Sequence, residues 1–263
     1  MKDKGAKTAL GVKQGLRCLL VCLMSSFLLT GCFADMEWKW AYDDGVKALK
    51  YNDLSKAQEK FTKAVLISEK FGPADPRFIN SMRYLADTYI TQDQFAEAEP
   101  FYLKVLQYEQ SKGGKDSLPL AITYYHLGQI YVQTKEISSA KEALDQAQVI
   151  LHNLGADDSL DGARVMACKG SLYLQSNRIS QAQKYCEKAL AIYEQDPSTP
   201  TTDKGKVLND LGNVYRAQDE SDKVAEVKQK LTMLSLDKAR NVIQTMSPLT
   251  SAGHVKTGNN DEP

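Results

Sequence analysis

Three histidines and five cysteines are the side chains of this 263-residue chain best suited to bind a metal or act as base or nucleophile. Zinc needs convergent ligands, and a general base needs an oriented partner. His126, His152 and His254 have no histidine or cysteine three or four residues away, so no helical face would present a ligand pair. No glycine-rich phosphate cradle and no Gly-x-Ser-x-Gly elbow occurs. These absences lead to the expectation of no catalytic residue, no metal and no cofactor, and of no small-molecule substrate. What chemistry there is should lie in Cys32 and in a set of polar side chains repeated along the chain.

Cys32 follows a distinctive leader. The first 17 residues are polar and basic, and CLLVCLMSSFLL, Cys18 to Leu29, then supplies twelve largely apolar residues. A helix needs roughly 20 apolar residues to span a bilayer, so this run is too short for a stable span and reads instead as an export signal. The next four residues, Leu29-Thr30-Gly31-Cys32, resemble the lipobox of bacterial lipoprotein signal peptides. The resemblance implies cleavage before Cys32, removal of residues 1–31, and attachment of a diacylglyceryl group to the Cys32 sulfur. Two or three acyl chains hold a protein durably on a membrane that it does not cross. The expected location is the exported side of the cell membrane, lipid-anchored. Phe33 replaces the aspartate that the family's sorting rules associate with inner-membrane retention, so the periplasmic face of the outer membrane is expected if the cell has one.

With 33 basic and 33 acidic residues the formal charge is zero, but five basic residues and one acidic residue lie in 1–31. The remainder carries 28 against 32, a net charge of −4, and no basic run, so nucleic acid is not an expected partner. Cys18 and Cys22 leave with the leader, and Cys168 and Cys186 remain. Export would permit a disulfide between them. Their repeat positions call for small apolar residues, which favours packed thiols.

The repeat has a period of 42. A small residue recurs at Ala86, Gly128, Gly170 and Gly212, a tyrosine three residues on at Tyr89, Tyr131, Tyr173 and Tyr215, and Ala98, Ala140, Ala182 and Val224 lie twelve residues past the small position. A more divergent first copy has Gly45, Ala57, Phe61 and Ala64. Apolar positions three and four apart define two amphipathic helices per copy, joined by short polar turns such as TQDQ, QTKE and QSNR. Small residues should lie where the helices cross, and successive pairs should stack because neither helix buries its stripe alone. FAEAEPFYLKVL following FGPADPRFINSMRYLADTY resembles the 42-residue form of the tetratricopeptide repeat, as in kinesin light chains. The resemblance extends to Pro100, inside a helix where proline is normally costly.

The expected fold is therefore all-α: a right-handed superhelical solenoid of about five helix-turn-helix repeats over residues 37–241. A lipidated tether at 32–36 precedes it, and a helix end and disordered tail at 242–263 follow. Asp44 and Lys228 break the apolar pattern in the terminal copies, where a polar outer face is required. Lys169 breaks it in an internal copy, with a snorkelling tip as the expected accommodation. Trp38 and Trp40 are read either as packing of the first repeat or as aromatics at a membrane interface.

By analogy with the repeat, side chains three residues before the small position and one, four and five after it face a concave groove. These include Arg83, Asp87, Tyr125, Gln129, Val132, Gln133, Ala167, Ser171, Asn209, Asn213 and Arg216. Such residues can hydrogen-bond the backbone of an extended peptide. Asn209 and Asn213, one turn apart, resemble the asparagine ladder of peptide-binding repeats. The alternative is a solvated face with no specific ligand. The expected function is a membrane-anchored adaptor or assembly factor that binds a protein or peptide at a bacterial envelope; the alternative is an obligate subunit of an envelope machine.

Overall fold

The structure, a computed structural model, describes residues 33–112 and 116–246. The leader 1–31, the attachment residue Cys32, and the tail 247–263 with His254 lie outside the described residues. The fold is an all-α helical-repeat solenoid of five helix pairs, with ten α-helices among the described residues. It divides into two compact units, Met1–Gly114 and Lys115–Pro263. The first contains α1 (33–50), α2 (Leu54–Ser68), α3 (Pro76–Thr91) and α4 (Phe95–Ser111). The second contains α5 (Leu118–Gln133), α6 (Ile137–Asn153), α7 (Leu160–Gln175), α8 (Ile179–Gln195), α9 (Thr201–Ala217) and α10 (Ser221–Met246).

Local chemistry sets the helix boundaries with the same 42-residue beat. Asp75, Ser117 and Ser159 each accept a hydrogen bond from a backbone N–H of the first turn of α3, α5 or α7, satisfying a donor that has no partner inside the helix. Pro76 and Pro119 occupy first-turn positions, where a missing N–H costs nothing. The first helix of every pair ends in a left-handed residue: Asn52, Asp93, Lys135, Asn177 or Asp219. The N–H of the residue after it then reaches back five positions, as from Gln94 to the Tyr89 carbonyl and from Arg178 to the Tyr173 carbonyl. This paired closure is a Schellman turn, and it reverses the chain into the second helix. Asparagine and aspartate tolerate the left-handed region; Lys135 adopts it without that local help.

The crossings bury the alanines of the second helices: Ala57, Ala98, Ala140 and Ala182 are 0% exposed. The glycines opposite have a different partner from the expected alanine. A Cβ on Gly45 would lie 2.7 Å from the Phe61 ring, and one on Gly128 would lie 2.6 Å from Leu144. On Gly170 it would collide with the Cys186 sulfur. The residue sixteen past the small position, one turn beyond the alanine, therefore enforces the glycine. At Gly212 the facing residue is Val227, at an ordinary 3.5 Å. Lys228, the residue sixteen past Gly212, is exposed, as is Asp44.

Lys169 does not snorkel. It is 3% exposed, and its Nζ donates to Asp145 Oδ1 at 2.6 Å and to Gln148 Oε1, both on α6 of the preceding pair. The buried charge is paired and hydrogen-bonded, which is what makes it tolerable inside a solenoid. At the N-terminal end, α1 already includes residues 33–36 of the lipidated tether expected at 32–36. No helix among the described residues is long and apolar enough to cross a membrane.

Candidate functional site

The first helices of the second unit, α5, α7 and α9, line a cavity of about 270 Å³. α5 contributes Tyr125, Gln129, Val132 and Gln133; α7 contributes Ala167 and Ser171; α9 contributes Asn209. These positions recur because residues three before and one after each small residue share one helical face. Burial pushes the Tyr125 phenol well above its ordinary value, so it remains a neutral hydrogen-bonding group.

The remaining expected residues are placed elsewhere. Asn213 and Arg216 are exposed on α9 and do not line this cavity. Arg83 and Asp87 belong to the first unit, where both are engaged by α4. Arg83 Nη2 donates to Glu109 Oε1 at 2.9 Å, and the Tyr102 hydroxyl donates to Asp87. Those two side chains bind the two helices of their own pair.

The cavity also contains residues that the groove rule omitted: Arg164, Cys168, Asp203, Lys206 and Asp210, with Tyr193 from α8. Arg164 and Lys206 lie six before their small residues, and Cys168 and Asp210 two before. The signal was present: these offsets continue the groove stripe one turn toward the N-terminus. Arg164 is held between two carboxylates, Asp161 Oδ1 at 2.9 Å and Asp203 Oδ2 at 3.2 Å. Burial works against its charge, but the bonds to Asp203 and Asp161 outweigh that and raise its pKa. Asp210 accepts from the Ser171 hydroxyl. Desolvation raises the Asp210 pKa despite that bond.

Among the described residues, the thiols of Cys168 and Cys186 are free. Burial pushes Cys168 and Cys186 up to about 12, so each is a protonated thiol at neutral pH. Cys186 is packed against Gly170, as its repeat position led us to expect. His126 lies on α5 with its ring against Tyr125, and His152 pairs with Asp157 at the end of α6. The cavity thus offers hydrogen-bond donors and acceptors of both charges around aromatic and aliphatic walls, an arrangement suited to binding a polar chain.

The tetratricopeptide repeat family matches residues 78–151, and a second match to that family covers residues 163–196. A comparison with curated proteins finds no match. Among solved structures, the chain is similar to BtubC (BKLC) from P. vanneervenii, with 19% identity and a TM-score of 0.56 over 88% of this chain and 96% of that one. It is also similar to a putative kinesin light chain from Podospora anserina with nearly identical TPR-like repeats. There the identity is 15% and the TM-score 0.58, over 77% of this chain and 96% of that one.

Proposed function

Because the chain is a tetratricopeptide-repeat protein, we propose that it acts as a lipid-anchored adaptor at a bacterial envelope, holding an extended segment of another protein in the cavity between α5, α7 and α9. The tetratricopeptide fold itself supports a role in protein–protein interaction. The observation that carries the finer reading is the convergence of Tyr125, Gln129, Ser171 and Asn209, from three successive repeats, on one cavity. Gln129 and Asn209 can bond both the N–H and the C=O of an extended backbone, while Tyr125 and Val132 supply apolar contact. The leader and the Leu29-Thr30-Gly31-Cys32 motif support the anchor.

Co-purification with a tagged mature protein, read by mass spectrometry, tests the adaptor role. Replacing Gln129 and Asn209 together with alanine should deplete the specific partner while leaving the circular dichroism spectrum unchanged. Undiminished recovery of the same partner would remove the cavity from the account. Replacement of Cys32 with serine should release the protein from the membrane fraction, and its retention there would remove the anchor.

A further inference from the structure

Trp38 and Trp40 are two residues apart on α1, and the fold separates their roles. Trp38 Nε1 donates to Ser81 Oγ of α3 at 2.9 Å, and its ring lies 5.2 Å from that of Tyr42. It packs with Ala41, Ala64 and Ile67 inside the first unit. Trp40 is 61% exposed, and the large apolar residues seven and four positions before it, Phe33 and Met36, are 61% and 42% exposed. The spacing i, i+3, i+7 puts all three on one helical face. The next residues on that face, Asp44 and Lys47, are charged and exposed. On that face the exposed apolar surface is thus confined to the first two described turns.

Those turns are fastened to α3. Arg77 Nη1 reaches Asp35 Oδ1 at 2.5 Å, while its Nη2 is held by Asp75 Oδ2 at 2.8 Å and its guanidinium lies 3.7 Å from the centroid of the Phe71 ring. Together with the Trp38–Ser81 bond, this pair fixes which way Phe33, Met36 and Trp40 point. The chain outside the structure meets this face at Cys32, one residue before Phe33.

We propose that Phe33, Met36 and Trp40 form a membrane-docking edge that inserts into the interfacial layer of the bilayer in which Cys32 is anchored. The proposal rests on the lipid-anchor reading of Cys32. Tryptophan and phenylalanine partition to the headgroup level, and an acyl chain one residue away delivers them there. Asp35, Glu37, Asp43 and Asp44 outnumber Lys39, Lys47 and Lys50 along α1, so the edge suits zwitterionic lipid rather than recruitment by anionic lipid. Asp44 and Lys47 remain in water, so α1 enters by its N-terminal end only. The edge would set the orientation of the first unit on the membrane, which a lipid anchor alone does not do.

The protein's two tryptophans make the test direct. Mature lipidated protein is reconstituted into vesicles of phosphatidylcholine and phosphatidylethanolamine, with and without phosphatidylcholine brominated near the headgroup. Flotation reports the anchor, and fluorescence reports the edge. Wild-type protein should float and lose emission in brominated vesicles, whereas Trp40→Phe should float and keep its remaining Trp38 emission. Met36→Glu should float with the quenching diminished. Flotation of wild type with no loss of emission overturns the docking edge while sparing the anchor, and points to a protein partner on that face instead. Failure to float overturns the anchor and the edge with it.

Discussion

The Asp210 carboxyl loses water on folding and receives one hydroxyl donor, Ser171, in return. Its pKa is raised in the folded state, because desolvation outweighs that bond. Between the ordinary carboxylate value and the raised one, the folded protein holds more proton than the unfolded chain. Stability therefore falls as pH rises through that window, and the cost is fully present above the raised value. Asp210→Asn retains an acceptor for Ser171 and should raise the melting temperature at pH 7, with the gain vanishing below the ordinary carboxylate range. A variant no more stable than wild type at pH 7 would contradict this account. Residue identities were poor guides at this scale. Lys169 breaks the pattern in the sequence, and only the fold shows Asp145 and Gln148 waiting on the previous pair, 24 and 21 residues upstream.

Between elements, the small positions of the repeat are equal in sequence but unequal in space. A methyl on Gly128 would meet Leu144 at 2.6 Å, while one on Gly212 would meet Val227 at 3.5 Å. Gly128→Ala should therefore be destabilising by about 1–3 kcal/mol through overpacking of α5 against α6. Gly212→Ala should be stabilising by about 0.5–1 kcal/mol, since alanine is the better helix residue and the space exists. Urea midpoints of the two variants, moving in opposite directions from wild type, would be the supporting result. A shift in the same direction for both would mean that the glycine partner has been misassigned. Helix starts were readable because a proline or a capping aspartate or serine is a local signal. The packing partner of each glycine was not, because it depends on the crossing geometry of two helices and not on the spacing along either.

For the whole molecule, stability in a repeat array is approximately the sum of the repeats and their nearest-neighbour interfaces. The second unit contains three helix pairs and its own buried cluster, including Ala182, Leu190, Leu208, Leu211 and Val214. A fragment of residues 116–246 should retain a helical far-ultraviolet spectrum and unfold in a cooperative transition of its own. A spectrum without helix or a transition without cooperativity would argue that the unit boundary is not a folding boundary. The 42-residue period, the helix pairs and the turns between them follow from the sequence alone, because hydrophobic spacing, caps and left-handed turn residues act over a few neighbouring positions. The cavity that gathers Arg164, Cys168 and Asp210 beside Tyr125 and Asn209, the burial of Lys169 and the division of labour between Trp38 and Trp40 were decided by tertiary structure. Each depends on which side chains from other helices occupy the facing surface, and that is set by packing between elements rather than by the spacing within one.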